Sequence, residues 1–257
     1  VSASVKVGAE VLSAAAPAVI VPLTSVAADD LVAEVRGAVE AGADIVEWRA
    51  DHWLACHGAG SDGPGLTEVL TQLRQAAGAV PVLFTVRTTA EGGAGPEGDQ
   101  YTQLLESVIR AHSADLVDIE YRRDGAQALF TLAREHDVPV VASYHDFHST
   151  PPAEEIMAIL REQEDMGAGV AKVAVMPQTA ADVATLMLAT ARHTERAGIP
   201  VITMSMAGLG AVSRISGHVF GSAASFGSVG RASAPGQIPV EDLKSLLDGV
   251  NRATAGS

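Results

Sequence analysis

The chain has 257 residues, 47% of them hydrophobic and 19% charged, with a formal charge of −14. That length allows one large domain with a sizeable core. The acidic balance argues against nucleic acid and anionic membrane as partners, because either would be repelled over most of the surface, and an anionic substrate would need locally concentrated arginine.

Residues 1–16 are expected to form either a hairpin that closes the bottom of the fold or a disordered extension. The apolar run that follows reads as a first buried strand, not a signal peptide, because Lys6 is the only early cation and Glu10 interrupts the run. No stretch reaches the roughly 20 apolar residues of a membrane span. Strands are expected at 18–24, 43–49, 81–87, 115–121, 139–145, 169–176, 200–206 and 219–222. Amphipathic helices are expected at 28–41, 100–112, 126–136, 153–166, 180–196 and 240–250. Ser149 and the residues after it offer a cap, prolines and early acids for one of these helices.

Near-continuous apolar strands separated by helices imply a parallel sheet covered on both faces. Eight repeats favour a closed α/β barrel of the (β/α)8 or TIM type over a doubly wound sheet, and nothing divides residues 1–257 into separate domains. Residues 222–239, rich in Gly, Ser and Ala, read as a lid loop over the site. The single cysteine, Cys56, excludes an intramolecular disulfide, suits a reducing, cytoplasmic compartment and reads as a small buried hydrophobe.

In barrels of this type the reacting groups lie at the C-terminal ends of the strands. Glu47 and Arg49 end the second strand, Arg87 ends the third, Asp118 and Glu120 lie in the fourth, His145 ends the fifth and Lys172 lies in the sixth. Alternation places Lys172 among apolar neighbours on an inward face. Lowering a lysine from its ordinary value near 10.4 to about 7–8 costs about 4 kcal/mol, a cost explained if the amine attacks a carbonyl. Asp118, His145 and Lys172 are spaced one βα unit apart, so we expect them to converge as an orienting carboxylate, a base and a nucleophile. Arg49, Arg87 and Arg214 are expected to put positive charge beside the amine and to offer bidentate partners to hydroxyls or a carboxylate. The His145–His148 pair, with Asp51, His52 and His57, fits no metal-ligand spacing, and no nucleotide-binding glycine motif follows a strand. A sugar-phosphate aldolase and a non-catalytic carboxylate-binding barrel remain open alternatives.

Seven ordered motifs resemble the type I 3-dehydroquinate dehydratases: Glu47-Trp-Arg-Ala-Asp51, the stretch from Thr85 to Gly93, Asp118-Ile-Glu120, Ser143-Tyr-His-Asp-Phe-His148, Ala171-Lys-Val-Ala-Val-Met-Pro177, Met204-Ser-Met206 with Ser213-Arg214, and Phe220 to Phe226 leading to Ser233-Ala-Pro-Gly-Gln237. The resemblance implies conversion of 3-dehydroquinate to 3-dehydroshikimate by syn elimination through a Schiff base on Lys172. In it His145 is the general acid and base, and Asp118 orients that histidine. Glu47, Arg49 and Arg87 would hold ring hydroxyls, Arg214, Ser233 and Gln237 the carboxylate, and Met206 and Phe226 would be apolar walls. The resemblance implies no metal and no organic cofactor, a cytoplasmic homodimer, and a small-molecule substrate as the partner. Tyr144 and Gly208-Leu209 depart from residues seen in some members, outside the reacting roles.

Overall fold

The computed structural model describes residues 3–58, 64–230 and 236–254. Strands β1 (Ser4–Val7) and β2 (Glu10–Ser13) form an antiparallel hairpin turned at Gly8, whose φ of 57° suits glycine. Then come β3 (Ala18–Leu23), β4 (Ile45–Arg49), β5 (Val82–Thr85), β6 (Leu116–Glu120), β7 (Val140–Asp146), β8 (Val170–Val175), β9 (Val201–Ser205), β10 (Ala224–Ser228) and the short β11 (Ile238–Pro239). From β3 to β9 each strand pairs in parallel with the next, β10 pairs with β3, and a bridge between Val201 and Ser222 closes the ring beside β9. The eight-stranded α/β barrel expected from the sequence is therefore present. No helix among the described residues is long and apolar enough to cross a membrane.

Two hydrophobic clusters hold it together. Outward-facing strand residues such as Val46, Trp48, Phe84, Ile119 and Val173 pack under the helices, whose apolar stripes supply Leu31, Leu70, Leu104 and Ile156. The second cluster fills the barrel itself. Val7 and Leu12 of the hairpin close it from below against Ile20, Ile45, Leu83, Leu116 and Val141. Two residues further along those strands the inward positions turn polar, with Glu47, Thr85, Asp118, Ser143 and Lys172. The barrel is thus apolar at the N-terminal ends of its strands and charged towards the C-terminal ends.

Several expectations need correction. The eighth strand is 224–228 and not 219–222, because Gly217–Phe220 forms a helical turn. The lid expected at 222–239 accordingly loses 224–228 to β10 and 238–239 to β11, and 231–235 lie outside the described residues. Helices Ala50–His57 and Pro64–Ala77 both lie between β4 and β5, the second ending just before Gly78, the glycine expected to close a helix there. Cys56 is exposed on the first of them. The helix Ala153–Asp165 is capped at Pro152, without a side-chain bond from Ser149 or Thr150; Asp146 instead accepts from the Ser149 backbone, and Thr150 donates to the Met176 carbonyl.

Candidate active site

Lys172 sits in the middle of β8, paired with Ser143 of β7 on one side and Ile202 of β9 on the other. Its main chain is held from outside the barrel as well. Gln163, fully buried on the helix Ala153–Asp165, donates from Nε2 to the Lys172 carbonyl at 3.0 Å and accepts from the Lys172 amide at Oε1 at 3.0 Å. The strand leaves the barrel through Met176-Pro177, and a Thr179–Asp182 capping box starts the next helix.

The ammonium of Lys172 points into the polar half of the barrel. Nζ lies 3.2 Å from Asp118 Oδ2, 3.8 Å from Glu47 Oε1 and 4.7 Å above the centre of the Phe226 ring. The positive neighbours expected from the sequence are not the nearest charges. Arg87 reaches the other oxygen of Asp118, Oδ1, at 2.8 Å, and Arg49 makes two bonds of 2.7 and 2.8 Å to Asp51. Arg87 also binds Glu120 at 3.0 Å and Ser143 at 2.9 Å, so both its amino groups are engaged. Burial alone would push Asp118 up, but Arg87 and Lys172 beside it and a hydrogen bond from Ser143 hold it below the usual carboxylate range.

His145 has a different partner from the one expected. Its Nδ1 lies 2.8 Å from Glu91 Oε2, not beside Asp118. The register explains the error. Asp118 pairs with Val141, and His145 lies four residues further along β7, about 13 Å at roughly 3.3 Å per residue. The one-unit spacing put the two residues on adjacent strands but not at one height. Glu91 ends the 3-10 turn Thr89–Glu91 that follows Arg87, at the level of the histidine. An acid before two glycines at a strand's C-terminal end, in Thr-Ala-Glu-Gly-Gly, was the available sign of it.

Burial, then Glu120 nearby, pushes the Glu91 carboxyl up to about 8, against the pull of Arg87 and Arg123. Burial, followed by Arg87, Lys172 and Arg49, holds His145 well below the ordinary imidazole value. At neutral pH the imidazole is therefore neutral, the form that accepts a proton. Its Nε2 has no hydrogen-bond partner among the described residues.

A cavity of about 230 Å³ opens over this network. Lys172, His145, Glu47, Arg49 and Arg87 line it together with Met206, Phe226, Arg214 and Gln237. Asp118 lies beneath, behind Lys172 and Arg87. Ser233 lies outside the described residues, and His148 is exposed and does not reach the cavity. Arg214 is distinctive. It is 4% exposed, its Nε has no hydrogen-bond partner and no carboxylate pairs with it among the described residues, and burial lowers its pKa. A buried guanidinium facing a cavity without a counter-ion is a receptor for an anion.

Residues 19–252 match the family model described as type I 3-dehydroquinase. A 3-dehydroquinate dehydratase of Bacillus velezensis is 43% identical over 253 residues, covering 97% of this chain and 98% of that protein. One of Klebsiella pneumoniae is 44% identical over 232 residues, covering 89% and 91%. Among solved structures, a type I 3-dehydroquinate dehydratase from Clostridium difficile with covalent modified comenic acid superposes with a TM-score of 0.91, at 35% identity, over 98% of this chain and 99% of that one.

Proposed function

From the premise that the chain belongs to the type I 3-dehydroquinase family, we propose that it dehydrates 3-dehydroquinate to 3-dehydroshikimate through an imine on Lys172. The observation that carries this reading is one cavity faced by Lys172, His145 and an arginine, Arg214, whose Nε is unpaired among the described residues. The covalent modified ligand of the Clostridium difficile relative lends support.

Arg214, with Gln237 and Ser233, takes the substrate carboxylate and so sets the ring's orientation. Glu47 and Arg49 at the end of β4 take ring hydroxyls, while Arg87 acts chiefly by fixing Asp118 and Glu120. Nζ of Lys172 adds to the C3 carbonyl and water leaves, giving an iminium that draws electrons from C2. His145 Nε2 removes the C2 proton on the face from which the C1 hydroxyl departs. The C1–O bond breaks as that proton returns to the leaving oxygen, forming water, and hydrolysis of the iminium frees the conjugated ketone and Lys172. Glu91 holds Nδ1 of His145 throughout, and Asp118 stabilises the positive charge that moves between ammonium and iminium. The enzyme is read as a cytoplasmic homodimer, with sedimentation across a concentration series as the check on its oligomeric state.

Borohydride added with dehydroquinate is expected to add the ligand's mass to the peptide holding Lys172, and the Lys172→Ala variant to lose trapping and turnover together. His145→Ala should still trap but turn over slower by a factor on the order of 10² to 10⁴. Trapping at another lysine, or turnover of sugar phosphates alone, would overturn the reading.

A further inference from the structure

Phe147 is one of the few large apolar side chains the fold leaves exposed, at 41%, and it stands on the wall of the catalytic cavity. It follows His145 by two residues, in the bend just past the end of β7, and the bend brings the two rings side by side. Their rings are 18° from parallel with centroids 6.2 Å apart, an offset stack of the kind aromatic rings favour. Gly92 also lies against the Phe147 ring. A Cβ at that position would come within 2.6 Å of Phe147 Cε2 and 2.7 Å of Cζ, and the φ of +77° also suits glycine. Gly92 immediately follows Glu91, which holds Nδ1 of the histidine. The turn after β5 thus supplies both the hydrogen bond to His145 and the seat of the ring beside it.

We propose that Phe147 is a positioning residue for the dehydration: its ring, seated on Gly92, fixes the imidazole plane so that Nε2 faces the substrate and keeps water from one face of His145. This rests on the reading of His145 as the proton carrier. The titratable and charged groups facing His145 are Glu91 on the turn after β5, Arg87 two residues past β5, Arg49 at the end of β4 and Lys172 on β8, with Arg123 3.7 Å behind Glu91. All five remain when Phe147 is truncated. Burial, the foremost cause of the lowered His145 value, is what the truncation relieves.

The test uses histidine-labelled enzyme in the parent, Phe147→Ala and Phe147→Leu forms. We expect the NMR titration midpoint of His145 to rise in Phe147→Ala towards the ordinary imidazole value, by about one pH unit, and by less in Phe147→Leu. The acid limb of kcat/KM should move by the same amount. kcat should fall by roughly 10- to 100-fold, with borohydride trapping at Lys172 retained and KM changed by less than about threefold. A midpoint in Phe147→Ala equal to the parent's overturns the proposal, whatever the activity. If the midpoint rises while the acid limb stays in place, Phe147 shields His145 as proposed and the reading of His145 as proton carrier is the part that fails.

Discussion

Gln163 holds the main chain of Lys172 by two hydrogen bonds of 3.0 Å, one to its carbonyl and one from its amide. The proposed nucleophile is therefore anchored at its Cα by a helix side chain, independently of the groups that surround its Nζ. Replacing Gln163 with Leu leaves a buried N–H and a buried C=O without partners, at a cost of roughly 2–5 kcal/mol. Urea denaturation should show this loss. Because the tether and not the chemistry has changed, the trapped adduct should still form on Lys172 in the folded fraction, at a reduced rate.

Asp118 joins Arg87 and Lys172, so Asp118→Asn leaves two buried cations short of a counter-charge. A stability loss of roughly 3–5 kcal/mol is expected at pH 7. The folded carboxyl is held below its unfolded value of 3.8, so the stability it contributes is fully present above that value and is lost as pH falls through the folded one. The gap between parent and variant should be equal at pH 7 and 5 and shrink below about pH 4. A gap that stays constant into acid would count against the ion pairs.

Glu91 should behave in the opposite sense. Its carboxyl is raised from 4.5 to about 8, so the folded state binds a proton that the unfolded chain releases, and the parent loses stability as pH rises from 4.5 through 8. Glu91→Gln removes that slope. Its stability relative to the parent should increase between pH 5 and pH 8 in paired denaturant titrations. Gln still offers His145 Nδ1 an oxygen, so Glu91→Gln should retain more kcat than Glu91→Ala, which is expected to lose about 10- to 100-fold.

Arg214 is predicted to trade stability for binding. A buried guanidinium without a carboxylate is a liability to the fold, so Arg214→Met should raise stability by about 1–3 kcal/mol. The same change removes a charge-assisted contact made before and during the reaction, so KM should rise by roughly 10²-fold or more with a smaller effect on kcat. Thermal denaturation and initial-rate measurements on one preparation check both halves.

Much of this is legible in the amino-acid sequence. Eight near-continuous apolar strands separated by helices imply the barrel, and period-two alternation around Lys172 implies an inward-facing amine. The height of a residue along the barrel axis was not legible. Register between parallel strands is set by how the helices pack and by the stagger of the closed ring. Asp118 was therefore assigned to His145 when it serves Lys172. Glu91 went unassigned because it lies beyond its strand, on a turn whose shape depends on glycine at position 92 and not on any periodic pattern. The eighth strand was misplaced because Val219 and Phe220 are apolar enough to read as a strand, although they end a helical turn at Gly221.

The uncompensated charge of Arg214 also bears on how the enzyme is handled. A cation set in a low-dielectric wall attracts any small anion that fits, and the field of the whole molecule, at −14, does not discriminate among them. Acetate, phosphate and sulfate should therefore act as competitive ligands, making apparent KM depend on the buffer salt as well as on ionic strength. Initial rates in zwitterionic buffer titrated with sodium acetate would reveal this as a KM that climbs at constant kcat, an effect absent from Arg214→Met.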